Sequence, residues 1–195
     1  MEATPDAIRE RCARDVAAIE ARQLPAEVKQ ELAARRITQA DDEMQHLAQA
    51  AIAQIDTRRA ELTTSSFRPQ NGTLSWRDAR AAAAEINEPQ AALAALKEAD
   101  SAGDPDMATA IARRAAQFAS TQAGRRDWTP IVDAYASTRP AVQKKLAELA
   151  ELPDTSRADF RLKVAMHYHV PRPSLLSGMR DDEIRKLARR GTDVA

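Results

Sequence analysis

The fold of this chain turns on "RLKVAMHYHVPRP", residues 161–173. Read with period two, Phe160, Leu162, Val164, Met166, Tyr168 and Val170 alternate with Arg161, Lys163, Ala165, His167 and His169, as on a half-buried strand. Read with the helical period, Phe160, Val164 and Tyr168 fall at i, i+4 and i+8 on one stripe. A lone strand in an otherwise helical chain has nothing of its own to pair with. It would need the sheet edge of a partner. We therefore expect a helix that runs into the Pro171–Pro173 turn, with a single strand near 160–170 as the alternative.

The surrounding sequence argues for an all-α fold. The chain has 195 residues, 44% of them apolar but only 4% aromatic, and only 5 are glycine. Sheets want β-branched and aromatic residues on their pleats and glycine in their turns. Alanine dominates here instead, and it is the best helix former. Ile8, Cys12, Val16 and Ile19 make one narrow helical stripe after Thr4-Pro5, a cap followed by a first-turn proline. Pro25 interrupts the run. A second stripe, Met44, Leu47, Ala51, Ile55 and Leu62, approaches a heptad seam and predicts a helix over 38–62.

Residues 1–62 thus form a coiled-coil-like helical hairpin or long helix. "TTSSFRPQNGT" makes 63–74 a linker. Over 75–152 the helix punctuation is dense and predicts a small bundle of four or five short helices. A capping-box pattern stands at Ser75–Asp78, with restarts at Asn87-Glu88-Pro89, Gly103-Asp104-Pro105 and Gly124–Asp127. The pair of helices around Gly103 looks like one tetratricopeptide-type hairpin, but no second copy occurs at the period a repeat array needs. Residues 153–195 form a C-terminal helix-turn-helix-like module. In it a helix is followed by the Val170-Pro-Arg-Pro turn, a short helix from Ser174, and a third helix carrying Glu183, Ile184 and Leu187, ended by Gly191.

Charge narrows the function classes. There are 29 basic and 29 acidic residues, which disfavours a protein built to neutralise phosphates. Residues 1–62 hold 9 bases and 12 acids, and residues 153–195 hold 9 and 6, so the tail is mildly basic. Arg113-Arg114, Arg125-Arg126 and Arg189-Arg190 are interleaved with acids and read as exposed helical faces, which makes nucleic acid an unlikely partner. No glycine-rich phosphate loop, GxSxG, HExxH or Cys/His ligand set occurs. The acidic triplets Asp41–Glu43 and Asp181–Glu183 suit the first turns of helices. His167 and His169 are two apart, far from His46 and the single Cys12 in sequence, so they lack the ligands of a metal site. We expect no enzyme, cofactor or metal. One cysteine and no long apolar run predict a cytoplasmic protein with no membrane association.

The tail "RLKVAMHYHVPRPSLLSGMRDDEIRKLARRG" resembles the small helical module of tail assembly chaperones of tailed phages. The common order is a helix, a proline-containing turn, a Leu pair, a Met and a helix with an acidic start. The resemblance covers residues 161–187. It departs at His169 and Arg189, where the family has a glycine and an aromatic residue. It implies a phage or prophage structural or morphogenesis protein of the head–tail or tail pathway, cytoplasmic in the host cell or incorporated in a virion. Its partners would be other proteins, through self-association as an oligomer or through phage structural proteins. Two further readings stand beside it: a bacterial cytoplasmic adaptor and a DNA-binding helical protein. The residues expected at a partner interface are Met44, Leu47, Ile55 and Leu62 on the coil, and Leu175, Leu176, Met179 and Ile184 on the tail.

Overall fold

Thr4 opens the first helix as the sequence suggests. Its side-chain oxygen accepts from the Ala7 N–H at 3.3 Å, and Pro5 occupies the first helical position. The computed structural model describes residues 4–69, 73–121 and 123–190. Among them are nine α-helices, one 3₁₀ turn and no strand, an all-α fold. The chain forms two units, Met1–Ile55 with Asp154–Ala195, and Asp56–Pro153.

The first unit is built from both ends of the chain. α1 (Pro5–Glu20) is followed by the break at Pro25 and then by α2 (Ala26–Ser66). α2 has 41 residues, many more than the stripe over 38–62 alone predicts. Its residues 26–55 belong to this unit and 56–66 to the other. Ile8, Cys12 and Val16 of α1 pack on Ala33, Ala34, Ile37, Ala40 and Met44 of α2. The alanines keep that crossing thin. α8 (Ala158–His167), a 3₁₀ turn (Ser174–Leu176) and α9 (Asp181–Arg189) complete the unit, with Val170, Leu176 and Ile184 in the same core.

The second unit holds the end of α2 with α3 (Thr73–Ala84), α4 (Pro89–Ala102), α5 (Pro105–Ala119), α6 (Arg125–Ser137) and α7 (Pro140–Glu151). α5 is its central helix, with Ala108, Ala110, Ile111, Ala112 and Ala115 buried. Asp104 caps it, accepting from the Met107 N–H at 2.9 Å. Gly103 closes α4 at φ +68°, where a Cβ would be strained. Polar and aromatic contacts lock the bundle. Thr109 and the Tyr135 hydroxyl share a buried hydrogen bond of 2.9 Å. The Arg139 guanidinium lies 4.1 Å from the Tyr135 ring centre and bonds Asp100 at 2.5 Å. The Phe118 and Trp128 rings stack at 4.5 Å. Arg58 pairs with Glu148 on α7 at 2.6 Å, while Arg59 donates to the Leu152 and Pro153 carbonyls.

Several sequence expectations need correcting. The strand alternative for 160–170 gives way to α8, because without a second strand its backbone groups are satisfied only within a helix. The linker over 63–74 does not begin at Thr63. α2 continues through Ser66, with Thr63 Oγ1 donating to the Arg59 carbonyl at 2.8 Å, and Phe67 is buried in the bundle core. Residues 70–72 of that segment, and Gly191 after α9, lie outside the described residues. α3 starts at Thr73, so Ser75 is inside it rather than capping it, and α6 starts at Arg125 with Asp127 in its first turn. The four serial segments become two units, because the 153–195 module covers the apolar stripe of the 1–62 hairpin.

Candidate functional site

The segment that decides the fold also organises the candidate site. α8 ends at His167 because Tyr168 leaves helical geometry, and Pro171 disfavours a helical Val170. The carbonyls thus left open are taken by Arg9 of α1. Its Nε donates to the His169 carbonyl at 3.0 Å and its Nη2 to the His167 carbonyl, while Nη1 holds Asp6 at 2.6 Å. It is therefore the backbone of the His-Tyr-His triplet that is bonded to α1. The two imidazoles are exposed, and His167 meets the Tyr168 ring edge-on at 4.9 Å. Among the described residues no group of three His, Cys, Asp or Glu side chains is placed to hold a metal ion.

From there residues 168–174 run along α1 as a strap. Val170 is buried, and Ser174 Oγ donates to Glu20 Oε1 at 3.2 Å near the far end of α1. Arg172 ties the strap forward, donating to the Met179 carbonyl at 2.5 Å and pairing with Asp181. Gly178, at φ +83°, turns the chain into α9. The Arg180 N–H at the start of α9 donates to Glu183 Oε2 at 2.8 Å. That backbone bond, with the Arg180 guanidinium second, holds the Glu183 carboxyl below its usual range.

Behind the strap is a cavity of about 320 Å³, bordered by Asp41 and Gln45 of α2, Tyr168, His169 and Arg172 of the strap, and Arg185 of α9. Burial pushes the Asp41 carboxyl up; His169 and Arg185 oppose the shift, while Asp181 and Asp42 add to it. A second groove, of about 480 Å³, runs between α1 and Val170–Ser174 and reaches Cys12. Burial also raises the Cys12 thiol, helped by Asp15 and Asp41.

The partner residues expected from sequence divide sharply. Met44, Leu176 and Ile184 lie buried in one core, and Leu47, Leu175 and Met179 pack half-buried against it. Leu62 is buried in the part of α2 that belongs to the second unit, and Ile55 is half-buried. Met44 and Leu47 of the coil and the tail stripe therefore cover each other, and Met44, Leu62, Leu176 and Ile184 offer no surface to a partner. The free apolar surface is elsewhere. Leu162 and Met166, one turn apart on α8, are 62% and 70% exposed, and Leu24 and Val28 at the α1–α2 turn are exposed as well. α8 buries none of its residues fully. A signal for this was in the sequence, since Phe160, Val164 and Tyr168 occupy one helical face and Leu162 and Met166 another. One core covers one such face.

Comparison with known proteins gives no match to a protein-family model, a curated protein or a solved structure. Among the described residues no helix is long and apolar enough to cross a membrane.

Proposed function

We propose that the protein is a non-catalytic assembly component that binds other proteins, working in phage or prophage morphogenesis in the head–tail or tail pathway. The observation that carries the reading is the exposed Leu162–Met166 pair on α8, flanked by exposed Arg161 and Lys163. Apolar side chains paired one helical turn apart and left in water are stabilised by a partner that covers them. The α8, 3₁₀ turn and α9 follow one another in the order that the resemblance to tail assembly chaperones implies, and this supports the phage assignment.

The test is affinity capture of the tagged protein from its host lysate, with and without nuclease, beside a Leu162→Ser/Met166→Ser variant. Capsid, portal or tail proteins held by the wild type and lost by the variant are the expected result. Partners that vanish with nuclease in the wild type would instead favour nucleic acid, and metabolic or regulatory proteins alone would favour an adaptor.

A further inference from the structure

We propose that α8 is a lid that opens on its own. It leaves the face of α2 by local unfolding, while α1, the strap and α9 stay folded. This goes beyond the assembly reading and does not depend on it.

The packing of α8 is the first reason. Among the described residues, the half-buried apolar side chains packed on the core of the first unit are Leu47, Tyr168, Leu175, Met179, Leu187 and Ala188. α8 supplies none of them, since Tyr168 lies just beyond its end. Phe160 and Val164 are half-buried without joining that packing, and Leu162 and Met166 are exposed. The space beside α8 is also open. Val164 and Ala165 border the cavity of about 320 Å³ together with Ile37, Asp41 and Ala48 of α2. A helix that borders a void forgoes the dispersion contacts that hold a close-packed one.

The polar contacts point the same way. Among the described residues, the hydrogen bonds and ion pairs of α8 side chains are local. Asp159 pairs with Arg157 at 3.0 Å, and Arg161 donates to the Thr155 carbonyl at 3.4 Å. The ties to other elements grip the flanks instead. Arg59 donates to the Leu152 and Pro153 carbonyls before α8, and Arg9 to those of His167 and His169 at its end. Val170, Leu176 and Ile184 anchor the chain that follows. A segment held on both sides and loose between can melt and re-form in place.

α8 has little stability of its own to prevent this. It has ten residues, below the length of about 12–15 at which an isolated helix becomes even marginal in water. Its N-cap, Arg157, makes no side-chain cap bond. α9 is shorter still, at nine residues, but it has the Arg180–Glu183 cap bond and buries Ile184. Opening of α8 bares Asp41 and Ala48 and carries Leu162 and Met166 away from the hairpin without unfolding it.

The experiment is native-state hydrogen exchange of the full chain by NMR, beside Ala165→Gly and Arg157→Ser, both at exposed positions. In the wild type the amides of residues 162–167 should exchange together, at least about tenfold faster than the slowest amides of α1 and α9. Ala165→Gly should speed exchange throughout α8 by about fivefold, because glycine weakens a helix interior. Arg157→Ser supplies a cap and should slow it by about threefold. In both variants α1 and α9 should keep their wild-type rates, which also shows the variants to be folded. Exchange in α8 no faster than in α1 and α9 would overturn the proposal, since the helix would then open only with its unit. An Ala165→Gly variant that accelerates α1 and α9 as much as α8 would overturn it too.

Discussion

Arg9 fixes the His-Tyr-His triplet through its backbone rather than its side chains. One guanidinium closes two carbonyls at the end of α8 and also holds Asp6, so it joins the two termini of the chain. Hydrogen bonds from a charged group count for more than neutral ones, and partial exposure discounts them. Arg9→Met is expected to destabilise the first unit by about 1–2 kcal/mol in urea melts. His167→Ala with His169→Ala should leave the melt unchanged, because it is backbone oxygens that α1 holds.

Asp41 gives a pH signature at the same scale. Its carboxyl is raised, so the folded state keeps a proton that the unfolded chain has released. Stability is therefore lost as pH rises from the unfolded value near 3.8 through the higher folded value, and the deficit persists above it. Asp41→Asn should be more stable than the wild type at neutral pH. The gap should close below the unfolded value, where both forms are neutral. Equal pH profiles in the two proteins would show that His169 and Arg185 compensate the buried charge. Cys12, buried and with its thiol raised, should react with a thiol reagent much more slowly in the folded protein than in the urea-unfolded chain.

The elements show which sequence signals carried weight. Thr4-Pro5, Asp104-Pro105 and Gly103 punctuate helices where expected, because capping is settled by atoms within one turn. The Ser/Thr run at 63–66 misleads for a related reason. The Thr63 and Ser65 hydroxyls bond back to carbonyls within α2, and burial of Phe67 in the bundle outweighs a weak local preference for a turn. Phe67→Ala should cost about 3–5 kcal/mol in the second unit, read as a lower melting temperature for the bundle. The 160–170 segment satisfies both periods, and its sequence favours a helix with a single strand as the alternative. No strand occurs among the described residues to share its hydrogen bonds, and the segment is helical through His167.

The whole molecule departs from the linear order of its sequence. The tail that looked like a separate module closes the hairpin at the other end of the chain, with Val170, Leu176 and Ile184 placed on Ile8, Val16 and Met44. A chain cut after Pro153 should lose protection from hydrogen exchange over α1 and residues 26–55, while α3–α7 stay protected. Retained protection in α1 would mean that the hairpin stands without its tail.

Composition and local punctuation determined, without any tertiary knowledge, that this is an all-α chain, where α1, α4 and α5 start, and that Leu175, Leu176 and Ile184 are apolar anchors. These depend on propensity and on atoms a few residues apart. Which apolar stripe faces which was left to the tertiary structure. An apolar stripe in sequence is equally suited to a neighbour in the same chain and to another molecule, and only long-range packing distinguishes them. That packing consumed the stripes first expected at an interface and left Leu162 and Met166 in water, because the core at the hairpin's end is already filled by Val170, Leu176 and Ile184.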